Sequence, residues 1–322
     1  MEEKIVTILN EMAEYLTVSQ MKKLQEVILR TFSENELEKQ QISNEEFLKM
    51  FLNAKRVEGC SERTIQYYKV TAEHMLSQTE KEIRKITTDE MRSYLADYQK
   101  RNNCSNVTID NIRRNISSFF TWLEEEDYIL KSPMRRIHKI KTKTVVKSVI
   151  TDEGIEQLRD HCTQIRDLAM IDLLTSTGIR VGELVQLNRR DIDFDARECV
   201  VHGKGDKERR VYFDARAKTH LLVYLEQRMD DEPALFVSLH RPFKRLEISG
   251  VEARLRKLGD DSGVKHVHPH KFRRTLATKA IDKGMPIEQV QVLLGHSKID
   301  TTLCYAQVDQ DNVKRSHRKF IS

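Results

Sequence analysis

The stretch V-L-L-G-H-S-K-I-D-T-T-L-C-Y, residues 292–305, decides how the fold of this chain is interpreted. It continues the amphipathic run I-E-Q-V-Q-V-L-L, which predicts a helix that ends at Gly295. His296 would then lie at the carboxyl end of that helix, where the partial negative charge of the last carbonyls is expected to favour a protonated imidazole. Tyr305 follows nine residues later. Without His296 at that distance, Tyr305 would be interpreted as an ordinary half-buried tyrosine.

Three upstream segments add further basic side chains to this pair. They are Arg180 in T-S-T-G-I-R-V-G-E-L (175–184), Lys204 in V-V-H-G-K-G-D-K-E-R-R-V-Y-F (200–213), and His270 with Arg273 in H-P-H-K-F-R-R-T-L-A-T (268–278). His270 and Arg273 are three residues apart, and so share one face of a helix that begins near Pro269. Guanidinium groups clamp phosphate oxygens and a phenol supplies an oxygen nucleophile. The set therefore predicts an enzyme that attacks a DNA phosphodiester without a metal ion.

These segments, in this order, resemble the motifs of the tyrosine recombinases, the family of Xer recombinases, Cre and phage or transposon integrases. The intervals agree: 24 residues from Arg180 to Lys204, three from His270 to Arg273, and nine from His296 to Tyr305. The resemblance covers residues 45–310 or so. It implies a site-specific DNA recombinase whose catalytic residues are those six, with Glu183 as the neighbour that organises Arg180.

The resemblance also implies a mechanism. Tyr305 attacks the scissile phosphorus and leaves a 3′-phosphotyrosyl link, which stores the bond energy, so that neither ATP nor a metal or other cofactor is expected. His270 is expected to act as general base and Lys204 to protonate the departing 5′-oxygen. Many members of the family carry a histidine directly after the second arginine, where this chain has Arg274. Only a supporting contact depends on that position.

Several of these assignments have an ordinary structural alternative. Arg180 could simply pair with Glu183 on a helix surface. Lys204 lies in a glycine-flanked turn, where solvated lysines are common, and Lys207 is a nearby alternative. The turn is not a nucleotide-binding loop, because no G-K-[ST] follows and β-type runs flank it. Cys304 is intrinsically more nucleophilic than a phenol, but the resemblance favours Tyr305.

The composition of the chain sets limits without naming a function. The 322 residues include 55 Lys and Arg against 50 Asp and Glu, a net charge of +5 that permits nucleic-acid binding without requiring it. Five scattered cysteines without a C-x-x-C pair argue against a zinc site or a disulfide framework. No long apolar run or signal peptide is evident. A cytoplasmic, nucleoid-associated protein without membrane contact is expected.

Four regions are predicted along the chain. Residues 1–40 form an acidic helical hairpin broken near Thr17, with eight acidic and five basic residues, unlike the basic β-rich arm-binding domains of bivalent integrases. Residues 44–132 form a helical core-binding, SAM-like domain, with helix starts at Ser61 and at a Thr87–Glu90 capping box. Residues 133–150 form a linker. Residues 151–322 form a mainly helical catalytic domain with one β-hairpin, formed by C-V-V-H (199–202) and R-V-Y-F (210–213).

The predicted linker carries six cations and, over residues 135–147, no acidic residue. These are Arg135, Arg136, Lys139, Lys141, Lys143 and Lys147. A solvated spacer is the plain interpretation. The resemblance favours a strap across DNA phosphates that joins the two halves of a clamp.

The sequence thus predicts a mainly α fold with a small β-hairpin or sheet, arranged as a two-domain, C-shaped clamp around duplex DNA. The partners implied are double-stranded DNA with inverted-repeat sites and further copies of the chain, as a tetramer whose C-terminal tail packs in trans. Two other functions share these features. A type IB topoisomerase has the same catalytic set but needs no synapsis, and a DNA-binding regulator would have lost catalysis, against which the complete set of six speaks.

Overall fold

The computed structural model describes residues 2–39, 42–142, 148–203, 208–296 and 299–303, and for residues 2–6, 29–39, 300 and 301 it describes the backbone alone. The chain divides into two compact units, Met1–Val145 and Val146–Ser322. Helices predominate, and the second unit contains a small antiparallel sheet, which confirms the predicted fold class. Among the described helices, none combines the length and the apolar character that crossing a membrane requires.

The described part of the first unit consists of helices and short 3-10 turns. The helices are α1 (Glu2–Met12), α2 (Val18–Lys39), α3 (Asn44–Val57), α4 (Glu62–Thr79), α5 (Thr88–Asn102) and α6 (Asn106–Glu125). Helices α3 to α6 each begin after a serine or threonine whose side-chain oxygen accepts a main-chain N–H group of the first turn: Ser43, Ser61, Thr87 and Ser105. The predicted Thr87–Glu90 capping box is present.

Aromatic rings fill the core of the first unit. The ring of Phe51 lies 5.0 Å from that of Phe119 and 5.8 Å from that of Trp122, measured between centroids. The apolar face of α6 is buried and consists of Ile109, Ile112, Ile116, Phe119, Phe120 and Leu123. Such rings each remove a large apolar area from water, so this cluster stabilises the bundle.

Residues 133–142 lie against the helical core of the first unit. Ile137 and Ile140 pack on it, and the carboxylate of Asp110 accepts the main-chain N–H of Ile140 at 3.0 Å. The predicted linker cations within this stretch, Arg135, Arg136, Lys139 and Lys141, are exposed. The apolar residues therefore anchor this segment while its charges face solvent. Lys143 and Lys147 lie outside the described residues.

In the described part of the second unit, helices pack against a sheet of three strands. Its strands are β1 (Ile192–Asp193), β2 (Glu198–His202) and β3 (Glu208–Tyr212). Its helices are α7 (Asp152–Asp160), α8 (Ile165–Thr177), α9 (Val181–Gln186), α10 (Ala215–Glu226), α11 (Ile248–Ser262), α12 (Pro269–Asp282), α13 (Ile287–Leu294) and α14 (Asp300–Leu303). The strands pair antiparallel in the order β1-β2-β3, with Val201 opposite Arg209. The predicted hairpin is confirmed, and β1 is an addition that the sequence did not predict.

Helix α8 lies at the centre of this unit. Its residues Ala169, Met170, Ile171, Leu173 and Leu174 are fully buried, because α8 contacts α7, α10, α12 and β3. A helix that is apolar on nearly every side belongs in a core. Gly178, with φ of 58°, ends α8 in the left-handed conformation, so the chain turns sharply into the segment that carries Arg180.

The turn between α11 and α12 fixes the start of the helix that carries His270 and Arg273. An added Cβ at Gly259, on α11, would meet the main-chain oxygen of Val264 at 2.8 Å and the side chain of Val267 at 2.7 Å. Helix α11 and the turn can approach this closely only because residue 259 has no side chain.

We expect Gly259→Ala to lower the free energy of unfolding by about 1–3 kcal/mol, the usual effect of overpacking, despite the better helix propensity of alanine. Gly250→Ala, on the same helix, is the matched control, since only the flexible Leu246 side chain lies within 4 Å of an added Cβ, at 3.3 Å. That variant is expected to match the wild type or to gain up to about 1 kcal/mol. Urea denaturation measures both, and equal effects at the two positions would contradict the close packing.

Candidate active site

Arg180 and Glu183 form the first part of a cationic site in the second unit. Arg180 immediately precedes α9, and the carboxylate of Glu183 accepts its main-chain N–H at 2.8 Å and its Nη1 at 2.8 Å. The predicted pair of Arg180 and Glu183 is present, but it is not confined to the surface, because Glu183 is only 4% exposed whereas 42% of the Arg180 side chain is exposed. A buried carboxylate needs its charge compensated, and the partly exposed guanidinium of Arg180 supplies part of that compensation.

Arg209 also balances the negative charge of the Glu183 carboxylate. The sequence interpretation did not include Arg209 among the site residues. Its Nη1 and Nη2 each donate to one oxygen of Glu183 at 2.7 Å, in the two-pronged geometry that arginine favours. A signal was present in the sequence. Residues 209 and 211 share one face of a strand, and Val211 marks that face as buried, so an arginine at 209 points inward.

The carboxyl end of α13 accepts hydrogen bonds from three arginines. Arg209 Nε donates to the carbonyl of Leu293 at 3.2 Å, Arg273 Nη2 donates to that of Leu294, and Arg180 Nη2 donates to that of Gly295 at 2.9 Å. The last carbonyls of a helix lack partners within the helix and carry a partial negative charge. They therefore bring the three guanidinium groups together.

Helix α12 supplies His270 and Arg273, and it begins at Pro269 as predicted. Arg273 is 2% exposed, and its Nη1 donates to the carbonyl of Gly178 at 2.8 Å. Arg180, His270 and Arg273 line a single cavity of about 160 Å³, together with Ile179, Val181, Glu252, His268 and Pro269. Three of the six candidate catalytic residues thus face one small space.

His296 follows α13, and its charge state corrects the sequence interpretation. The pKa of His296 is lowered to about 4, mainly by burial and further by the neighbouring basic side chains of Arg273, Arg180, His270 and Arg209. The expectation of a protonated ring is therefore wrong for the free protein, since burial and the nearby basic side chains outweigh the partial charge of the helix end. Nδ1 of His296 lies 2.8 Å from the hydroxyl oxygen of the buried Thr302.

In contrast to the ring of His296, the carboxyl group of Glu183 stays charged at neutral pH. Burial raises its pKa, but the hydrogen bonds from Arg209 and Arg180 outweigh burial and hold the pKa below its ordinary value. The site at neutral pH therefore contains an ionised carboxylate, at least three guanidinium groups and a neutral His296. This arrangement suits an anionic ligand with several oxygens.

The remaining sequence assignments divide into two groups. Arg274, where many relatives carry histidine, is nearly buried and donates to the carbonyl of Ser148 at 2.9 Å, away from the cavity lining. Four residues lie outside the described residues, namely Lys204, Lys207, Cys304 and Tyr305. In the part of the chain that the structure describes, no three His, Cys, Asp or Glu side chains cluster so as to hold a metal ion.

Comparisons with known proteins agree with these features. Residues 148–312 match the phage integrase family, and residues 47–130 match the N-terminal SAM-like domain of phage integrases. The tyrosine recombinase XerC of Leptospira interrogans is 34% identical over 290 residues, covering 85% of this chain and 92% of that protein. XerC of Oceanobacillus iheyensis is 30% identical over 277 residues, covering 81% and 90%.

The fold is similar to that of a lambda integrase dimer bound to a COC′ core site. The TM-score is 0.69 at 18% sequence identity, covering 89% of this chain and 86% of that one. At this identity the likeness concerns the fold alone.

The low pKa of His296 yields a prediction for NMR. In the free protein its ring is expected to titrate near 4 instead of 6.5, and Arg180→Gln is expected to raise that value by removing one nearby cation. As pH falls, the ring of His296 is protonated in the unfolded chain before it is protonated in the folded protein. The stability that His296 contributes is therefore present above pH 6.5 and is lost between about pH 6.5 and 4. His296→Gln should remove that part of the pH dependence of unfolding. A titration at 6.5 or higher would contradict the prediction.

Proposed function

This chain belongs to the phage integrase family of tyrosine recombinases, and from that membership we propose that it cuts and rejoins duplex DNA at specific sites through a 3′-phosphotyrosyl intermediate. One observation carries the proposal. Arg180, His270 and Arg273 line one cavity. A cationic cavity of this kind is suited to the scissile phosphate, whose negative charge grows in the transition state.

The proposed reaction begins when Oη of Tyr305 attacks the scissile phosphorus. The new bond joins Oη to phosphorus, and the bond from phosphorus to the 5′-oxygen breaks. A phenol has an ordinary pKa of about 10, so its proton must be removed, and His270 is the proposed base. Lys204 supplies the proton that the departing 5′-oxygen needs. A free 5′-hydroxyl of the partner strand then reverses these steps and joins the exchanged strands.

Arg180, Arg273 and His296 are proposed to stabilise the pentacoordinate phosphorane. Removing one such donor typically costs about 10²- to 10³-fold in rate. When the hydroxyl of Thr302 donates to Nδ1, the neutral ring of His296 carries its proton on Nε2, from which it donates to a phosphate oxygen. The negative charge of the phosphate also offsets the neighbouring cations, so DNA binding is expected to raise the pKa of His296.

The partner is proposed to be double-stranded DNA with inverted-repeat recombination sites. The fold shared with a lambda integrase dimer bound to a core site supports this partner. Residues 44–132 are proposed as the core-binding domain and residues 151–322 as the catalytic domain. The exposed cations of residues 133–142 are suited to DNA phosphates and support the proposed strap between them. A tetramer with the C-terminal tail in trans completes the proposal.

A nicked suicide substrate tests the nucleophile. The wild type is expected to form a covalent adduct that survives denaturation, because the cleaved strand loses the 5′-hydroxyl needed for rejoining. Tyr305→Phe should bind the same DNA with similar affinity and form no adduct, since only the phenol oxygen is removed. The measurement is a denaturing gel with labelled DNA, beside a gel-shift titration. Cys304→Ser is the matched control and should react like the wild type; loss of the adduct in that variant instead would assign the nucleophile to Cys304.

A sulfur substitution tests Lys204. When the bridging 5′-oxygen of the scissile phosphate is replaced by sulfur, the leaving group is a thiolate, whose conjugate acid has a pKa of about 8.5 and needs no proton donor. Lys204→Ala should cleave normal DNA about 10²-fold more slowly and recover on the sulfur substrate. Arg180→Ala should not recover, because the phosphorane still needs its cation. Recovery by Lys207→Ala instead would transfer the proton donor to that residue.

A further inference from the structure

We infer that Arg209 is a positioning residue for recombination, which holds Arg180 in the orientation that leaves its guanidinium available to the scissile phosphate. The inference rests on the function proposed above and adds a residue outside the six catalytic ones. Arg209 is linked to Arg180 through the carboxylate of Glu183, which both side chains share.

The hydrogen bonds to Glu183 limit how Arg180 can bind it. A carboxylate has about four good acceptor positions, and here four N–H groups occupy them: the main chain and Nη1 of Arg180, and Nη1 and Nη2 of Arg209. The side chain of Arg180 therefore donates to Glu183 through Nη1 alone, and its Nη2 donates to the carbonyl of Gly295. Its side chain remains 42% exposed.

Removing Arg209 would open two of those acceptor positions. Arg180 would then be free to bind both oxygens of Glu183 with its own two Nη groups, the arrangement that arginine and carboxylate prefer. Its guanidinium would turn away from Gly295 and towards the buried carboxylate. The charge balance changes in the same direction, because Glu183 would be neutralised by Arg180 alone and no net positive charge would remain between them.

Arg209 also joins three segments that carry catalytic residues. It belongs to β3, which follows Lys204 along the chain. It binds Glu183 in the first turn of α9, beside Arg180. Its Nε donates to the carbonyl of Leu293 near the end of α13, before His296. Gly295 makes room for it, because an added Cβ there would meet Cδ of Arg209 at 2.8 Å. Only 12% of the Arg209 side chain is exposed, so these contacts are largely shielded from water.

The first part of the test compares Arg209→Lys and Arg209→Ala with the wild type on the suicide substrate, at saturating DNA and under single-turnover conditions. Lysine keeps the charge but has one nitrogen, so it cannot donate to both oxygens of Glu183 in parallel. Its cleavage rate is expected to fall by about 10- to 100-fold, by analogy with the loss of a partner that orients a metal ligand. Affinity for DNA should change little.

Arg210→Ala is the matched control. Arg210 is the next residue of the same strand, and it pairs with Glu198 at 2.9 Å on the surface, with 67% of its side chain exposed. The variant removes the same charge from the same strand without touching Glu183, and a cleavage rate near that of the wild type is expected.

A methylphosphonate at the scissile position separates positioning from a general defect. This group lacks the negative charge of a phosphate, so its transition state depends less on a guanidinium. The rate loss of Arg180→Ala should shrink on this substrate, and that of Arg209→Lys should shrink with it. A defect that only loosens the fold would lower both rates equally, and thermal unfolding of each variant monitors the fold directly.

The outcomes distinguish a failure of the proposed function from a failure of the inference on Arg209. If the wild type forms no adduct, the proposed function fails. If the wild type reacts and both Arg209 variants keep its rate, or if their loss is the same on the two substrates, the inference on Arg209 is overturned while the proposed function stands. If Arg209→Ala does not fold, Arg209→Lys decides alone.

Discussion

The site depends on the carboxyl end of α13, where the carbonyls of Leu293, Leu294 and Gly295 bind Arg209, Arg273 and Arg180 in turn. The end of a helix provides such acceptors because its last carbonyls have no partner within the helix. Guanidinium groups repel one another, and these hydrogen bonds offset the repulsion before any anion binds. The sharp turn at Gly295, with φ of 63°, exposes these carbonyls and sends the chain on to His296.

Glu183 is the anionic counterpart of that helix end. It is buried, yet two arginines keep its carboxylate ionised, because their hydrogen bonds outweigh the cost of burial. A buried charge is stable only when its partners satisfy it fully, and the four donors on Glu183 meet that condition. The carboxylate thereby links β3 to the start of α9, and a hairpin distant in sequence becomes part of the same site.

The sequence predicted the features of the site that depend on neighbouring residues, and missed those that depend on segments far apart along the chain. The start of α12 at Pro269 and the hairpin of β2 and β3 follow from local propensity, and both are confirmed. The state of His296 was predicted wrongly, because a helix end alone favours the protonated ring whereas burial and basic side chains from other segments oppose it. Arg209 was missed because its partners lie 26 and 84 positions away along the chain.

By itself the sequence determined the family of this protein, its mainly helical fold with one small sheet, and the identity of six candidate catalytic residues. The helical fold and the hairpin follow from capping residues and the periodicity of apolar side chains, which act over a few residues each. The family and the six candidate residues follow from the resemblance of the ordered motifs to those of the tyrosine recombinases. Only the tertiary structure determined which polar and charged side chains lie close enough to interact. Hydrogen bonding and charge act through space, so the burial of Glu183, the pairing of Arg209 and the neutral His296 depend on segments that folding brings together.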